Sequence, residues 1–212
     1  ATSVVHLGRM ISAKGIEPDP DKLEAILSWP VPTSKEQLSS ALGFFGYNRR
    51  WVRDYASIVQ PLTIVAKPAA HFKWHEEQQR AWEAIKQEYA AGKVLAVPDW
   101  KRPFVVHVDA SEEGAGAVLL QRQDDGAERP VAFASTTFRP AQKAYSTFQK
   151  EAWAAAWAAR RWHDYVAWHP EGFQVWTDHA NLTNAAVRDC ADVLVARWVN
   201  NVIVRGGRFK WK

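Results

Sequence analysis

The sequence predicts an α/β chain in which a small, mostly helical segment precedes a mixed five-stranded sheet with flanking helices. Three observations carry that prediction. Residues 19–92 show helix caps and helical apolar spacing several times over. After Pro98 the texture changes to short apolar runs separated by turn residues. A long helical stretch from Ser146 then stands between the third and fourth of those runs. Strands interrupted by a helix describe a mixed sheet rather than a barrel.

The elements follow in order. "VVHLGRMIS" (4–12) reads as a short strand or ribbon, with Gly15 turning the chain. In "EPDPDKLEAILSWP", Asp19 suits an N-cap, Pro20 the first helical position, and Pro30 the stop. Thr33 with Glu36 has capping-box spacing and opens a second helix through "EQLSSALGFFGY". "VRDYASIVQPLTIVA" reads as a third helical stretch broken at Pro61. Ala81, Trp82, Ile85 and Tyr89 give a helical apolar spacing that Gly92 ends. The strands "FVVHVD", "GAVLLQ" and "PVAFAS" come next, the last after the polar turn "RQDDGAER". Ser146 with Gln149 caps the long helix, "GFQVWTD" is the fourth strand, and "GGRFKWK" is the last, after a further helical region.

Composition narrows the function classes. The 212 residues are 47% hydrophobic, enough for a core, and most of the 12 tryptophans are expected to pack in it or between helices. Lys and Arg number 27 against 23 Asp and Glu; a net charge of +4 permits a nucleic-acid partner without requiring one. The single Cys190 excludes an internal disulfide and fits a reducing, intracellular compartment. No apolar run reaches the roughly 18 residues of a membrane helix, and no targeting segment is seen.

The chemistry rests on carboxylates. "FVVHVDAS" carries an apolar strand into Asp109, and "GFQVWTDHANL" does the same with Asp178. On the intervening helix, Glu151 shares a face with Ala155, Ala158, Trp162 and Tyr165, the stripe that should press on the sheet. Trp153 and Trp157 make a second stripe beside it. Taken singly, Asp109 could be a turn residue and Glu151 a first-turn glutamate favoured by the helix dipole. Taken together, two parallel neighbouring strands would place both aspartates at carboxyl ends of the sheet, with Glu151 alongside. Three clustered carboxylates repel one another. Mg²⁺ or Mn²⁺ bound through oxygen relieves that repulsion, and two such ions about 3.5–4 Å apart can hydrolyse a phosphodiester.

Residues 4–212 resemble the C-terminal half of the reverse transcriptase in gypsy-type LTR retrotransposon polyproteins. "HLGRMISAKGIEPDPDKLEAILSWPVPTSKEQLSSALGFFGYNRRWV" is similar to that family's primer-grip end and thumb, and "PLTIVAKPAAHFKWHEEQQRAWEAIKQEYAAGKVLAVPDWKRPFVVHVDAS" to its connecting helix and the entry to RNase H. "PVAFASTTFRPAQKAYSTFQKEAWAAAWAARRWHDYV" and "VWTDHANL" resemble the RNase H core. The resemblance implies a primer-grip and thumb-like segment over 1–66, a connecting helix within 67–100, and an RNase H-like domain over 101–212. It implies catalytic and metal-binding carboxylates at Asp109, Glu151 and Asp178, two Mg²⁺ (or Mn²⁺) ions, and an RNA–DNA hybrid as substrate. It also implies an upstream polymerase palm and fingers in the same polyprotein, since no Tyr-x-Asp-Asp element occurs here.

The family's fourth acidic residue, on a helix after the last strand, has no counterpart; Asp189 and Asp192 fall before that strand and are not given the role. His179 and Asn181 in "TDHANL", and Ser111 with Gly114–Gly116 after Asp109, are expected near nucleic acid, where backbone N–H groups could approach phosphate. Arg49, Arg50 and Arg53, beside Tyr47 and Trp51, form a basic-aromatic cluster that could grip phosphates and 2′-hydroxyls. Arg160 and Arg161 with Trp162 form another. Solvated helix faces account for each cluster equally well. His107 is expected to be a packed structural histidine. The alternative function is a retroelement-derived fragment kept as a structural or nucleic-acid-binding subunit without catalysis. An integrase or transposase is disfavoured, because the glutamate comes second rather than last.

Overall fold

The computed structural model describes residues 3–167, 169–184 and 190–211. The chain divides into two compact units, Ala1–Ala96 and Val97–Lys212.

The first unit opens with an antiparallel ribbon, β1 (Val4–His6), β2 (Arg9–Ser12) and β3 (Gly15–Pro18). Helices follow: α1 (Pro20–Ser28), α2 (Lys35–Tyr47), α3 (Tyr55–Ile58), α4 (Gln60–Ala66) and α5 (Glu76–Ala90), with a 3-10 turn at Arg49–Trp51. Asp19 caps α1, its carboxylate accepting from the Asp21 N–H at 3.2 Å, as its position before Pro20 predicts. The cap of α2 sits one residue beyond Thr33. Ser34 is extended and its hydroxyl accepts from the Gln37 N–H at 3.3 Å, while Gln37 Oε1 reaches back past it to the Thr33 N–H at 2.9 Å. The break expected at Pro61 falls instead at Val59, and Pro61 occupies the first turn of α4, where its missing N–H has no partner to lose. Ile26, Leu38, Ala41, Phe45, Leu62, Trp82, Ile85 and Tyr89 form one buried cluster, so the helix expected to connect two parts packs its apolar face into the first unit. Phe45 stacks on Tyr89, and the Tyr89 hydroxyl donates to the Phe45 carbonyl at 2.7 Å.

The second unit is a mixed five-stranded sheet with flanking helices. Its strands are β4 (Phe104–Ala110), β5 (Gly114–Arg122), β6 (Glu128–Thr137), β7 (Phe173–Thr177) and β8 (Gly207–Trp211), in the spatial order β6-β5-β4-β7-β8. β4, β5 and β6 pair antiparallel; β7 lies parallel to β4, and β8 parallel to β7. The helices are α6 (Pro140–Lys143), α7 (Thr147–Arg161), α8 (His163–Val166) and α9 (Val193–Ile203), with a 3-10 turn at Ala180–Thr183. α7 packs on β4 and against α9. It does so through Ala152, Ala154, Ala155, Ala156, Ala158 and Ala159, all buried, whose short side chains permit close approach. No described helix is long and apolar enough to cross a membrane.

Candidate active site

The site lies where β4 and β7 end and α7 begins. His107 on β4 pairs with Trp176 on β7, and Asp109 and Asp178 each follow two residues further along. Because the strands are parallel neighbours, both carboxylates leave the same edge of the sheet. Both are exposed. Ser146 starts α7 beside that edge: its hydroxyl accepts from the Gln149 N–H at 3.2 Å, and Gln149 Oε1 takes the Ser146 N–H at 3.0 Å. That cap places Glu151 in the first turns of the helix, on the face against the sheet.

Glu151 is 2% exposed. Its Oε1 accepts from the Ala110 N–H at 2.9 Å and its Oε2 from the Thr177 hydroxyl at 3.1 Å, so one carboxylate spans the ends of β4 and β7. Burial pushes its pKa up to about 7; the Ala110 and Thr177 hydrogen bonds oppose that rise, and the charges of Asp178 and Asp109 add to it. Glu151 therefore feels both of the other sequence-predicted carboxylates, one from each neighbouring strand end. None of the groups that shift Glu151 is a cation.

The donor set suits a hard divalent cation in its chemistry, being all carboxylate oxygen. Among the described residues, no three His, Cys, Asp or Glu side chains stand close enough together to hold an ion as they are placed. Glu151 has both oxygens engaged by the scaffold, whereas Asp109 and Asp178 face solvent.

The remaining expected residues divide. Ser111 follows β4, but its hydroxyl is occupied within the turn, accepting from the Glu113 and Gly114 N–H groups at 3.2 and 3.1 Å. His179 lies at the site edge, its N–H donating to the Thr177 hydroxyl at 3.2 Å and its ring 4.9 Å from that of Phe148. Its Nδ1 is buried with no hydrogen-bond partner. Asn181 is exposed on the following 3-10 turn. Arg49, Arg50 and Arg53 belong to the first unit; Arg50 lies over the Trp51 ring at 5.5 Å, and Arg53 pairs with Asp54 at 3.6 Å. His107 is part-buried, 6.0 Å from the Trp176 ring, as a packed histidine should be.

One positioning residue, Thr177, escaped the sequence reading, and Gln149, read there only as a cap residue, has a second task. Thr177, fully buried, holds both Glu151 and the His179 backbone. The only sequence signal is its place before Asp178 on the opposite face of the strand. Gln149, besides closing the cap, donates to Asp192 Oδ2 at 2.8 Å. Asp192 is the N-cap of α9, accepting from the Leu194 and Val195 N–H groups, which gives that late acid a structural task. Asp189 lies outside the described residues.

Residues 74–175 match a family described as "RNase H-like domain found in reverse transcriptase". That span contains Asp109 and Glu151 and ends three residues before Asp178. The chain is 31% identical over 208 residues to a retrovirus-related Pol polyprotein from the transposon opus of Drosophila melanogaster, covering 93% of this chain and 20% of that protein. It is likewise 31% identical over 199 residues to the transposon Tf2-3 polyprotein of Schizosaccharomyces pombe, covering 93% of this chain and 15% of the polyprotein. The chain thus spans a fifth or less of those relatives. Among solved structures, the foamy viral protease-reverse transcriptase dRH in complex with double-stranded DNA superposes with a TM-score of 0.82 at 20% identity, covering 100% of this chain and 38% of that one. The foamy viral enzyme in complex with an RNA/DNA hybrid gives 0.80 at 20% identity, covering 99% and 29%. At that identity the likeness establishes the fold, which is RNase H-like.

Proposed function

We propose that this chain is the ribonuclease H part of a gypsy-type retroelement reverse transcriptase, hydrolysing the RNA strand of an RNA–DNA hybrid. The observation that carries the reading is Glu151, buried between the ends of β4 and β7 and raised to about 7 by burial with Asp178 and Asp109 beside it. A buried carboxylate with an exposed aspartate at the end of each neighbouring strand carries an electrostatic cost, which a cation would relieve. In this reading residues 1–66 are a primer-grip and thumb-like segment, 67–100 a connection, and 101–212 the RNase H-like domain. A polymerase palm and fingers belong upstream in the same polyprotein.

Asp109 and Asp178, open to solvent, are the carboxylates that would hold Mg²⁺ or Mn²⁺, with Glu151 completing the set. Bound there, two such ions would supply an activated water and stabilise the leaving oxygen, giving a 5′-phosphate and a 3′-hydroxyl. Glu151 keeps the two strand ends in register through Ala110 and Thr177 and holds negative charge between the aspartates. Thr177 fixes the approach of His179. Ser111, His179, Asn181, Arg49, Arg50 and Arg53 are the proposed contacts to the hybrid, through phosphate and 2′-hydroxyl rather than base edges.

The test is cleavage of a labelled RNA–DNA hybrid in Mg²⁺ and in Mn²⁺, beside Asp109→Asn. RNA-strand cleavage that the substitution lowers by at least about a hundredfold supports the reading. Hybrid binding without cleavage in either metal replaces it with the second reading, a non-catalytic nucleic-acid-binding subunit.

A further inference from the structure

A second basic site forms away from the carboxylates, where α7 meets α9. Arg160 lies in the last turn of α7, Arg197 near the middle of α9, and Arg205 in the turn that follows it. Arg197, Asn201 and Arg205 recur every four residues and so continue along one face. Hydrogen bonds tie that face together: Asn201 Nδ2 donates to the Arg197 carbonyl at 3.1 Å, and Arg205 Nη1 donates to the Asn201 carbonyl at 2.8 Å and to its Oδ1 at 2.9 Å. The packing of α7 along α9 brings Arg160 within electrostatic range of Arg205 and Arg197, whose like charges, after burial, lower its pKa.

Like charges held together need an anion, and the described residues supply none. Among the described residues, none of the three pairs with a carboxylate, and the buried Arg205 Nε has no hydrogen-bond partner. Helix dipoles account for arginines at the ends of α7 and α9, but not for Arg197 within α9. Three forked, weakly hydrated guanidiniums match the oxygens of a phosphoryl group better than they match bulk water. Glu151 and Arg160 are nine residues apart on α7, about 14 Å along the helix at 1.5 Å per residue. The arginines are therefore removed from the carboxylates but within the reach of one duplex.

We propose that Arg160, Arg197 and Arg205, the last held by Asn201, form a phosphate-binding site that grips the backbone of a nucleic acid beyond the hydrolytic centre. The choice of nucleic acid as the source of the phosphate rests on the function proposed above. The anion chemistry does not.

The experiment is fluorescence anisotropy of a labelled RNA–DNA hybrid against the full chain, in EDTA, over a range of salt. Binding is thereby read without cleavage. Arg160→Gln/Arg197→Gln/Arg205→Gln is compared with Lys101→Gln/Arg122→Gln/Arg129→Gln, which removes the same charge from exposed positions of the same unit. The arginine triple is expected to weaken binding by about tenfold or more and to reduce the salt slope by about 2–3, near 0.9 for each lost phosphate contact. The control triple should reduce the slope by less than about 1. The double Arg160→Gln/Arg197→Gln, which keeps the Arg205–Asn201 bonds, should show about two thirds of the slope change, so the result does not depend on losing the fold.

Equal effects of the arginine and control triples would overturn the site, as would a wild type that fails to bind the hybrid. Inorganic phosphate that raises the melting temperature of the wild type but not of the arginine triple, with hybrid binding the same in both, would overturn the nucleic-acid assignment in favour of a free-anion site. Binding that behaves as expected in a chain that does not cleave would leave this site standing and sink only the hydrolase reading.

Discussion

Glu151 is buried at a sheet edge where a carboxylate would ordinarily be left in water. It has two hydrogen bonds to the scaffold and two negative neighbours, and the first pair does not offset burial and the second pair together. The sign of the consequence follows from linkage. A glutamate near 4.5 in the unfolded chain and about 7 in the folded one binds more protons when folded over that range. Stability therefore falls as pH rises from about 4.5 to about 7, by roughly 1–3 kcal/mol, and is lowest above it. Glu151→Gln keeps an acceptor for the Ala110 N–H and a donor for the Thr177 hydroxyl, and it cannot ionise. Thermal melts from pH 4.5 to 8 should show the wild type losing this increment and the variant losing much less. Parallel curves for the two proteins would mean that Glu151 titrates as an ordinary glutamate.

At the scale of elements, the site depends on how closely strands and helices can approach. Gly114 opens β5, and a Cβ there would lie 2.3 Å from the Thr136 carbonyl oxygen on β6, a backbone atom that cannot swing away. Gly114→Ala is expected to cost about 2 kcal/mol or more and to loosen the turn that carries Ser111 behind Asp109. A denaturant midpoint equal to that of the wild type would refute this. Gly172 is constrained in the same way at the start of β7. It has φ +69°, and an added Cβ would meet the Gly206 carbonyl at 2.0 Å, so the two glycines let β7 and β8 begin side by side.

At the scale of the molecule, each unit has its own core. In the first, Phe45 is fully buried between Tyr89, Trp82 and Trp29 and draws α1, α2 and α5 together. Phe45→Ala should cost about 3–5 kcal/mol. Hydrogen exchange of the α2 and α5 amides is the measurement, and protection that survives the substitution would show the cavity had collapsed around it. In the second unit the core is the alanine face of α7 on β4, and the same packing holds Glu151 out of water. Folding and the chemistry of the site thus share one contact surface.

Local patterns carried far in this chain. Alternating apolar runs, the Ser146–Gln149 cap and the strand-terminal aspartates are signals within a few residues, so the mixed sheet and the carboxylates Asp109, Glu151 and Asp178 were legible before any folding. The shift of the α2 cap from Thr33 to Ser34 was not, because two adjacent hydroxyls offer equivalent local chemistry and only the reach of Gln37 chooses between them. Arg160 and Arg161 could be read from the sequence as a basic pair at a helix end. That Arg160 also comes within electrostatic range of Arg197 and Arg205 was decided by the packing of α7 on α9, across some forty residues of chain. Thr177 shows the same limit: its neighbours name it a strand residue, and only the parallel pairing of β4 with β7 brings it to Glu151. Periodicity and caps are written in adjacent residues. Charge against charge, and donor against acceptor across elements, exist only once burial has brought distant segments within a few ångströms.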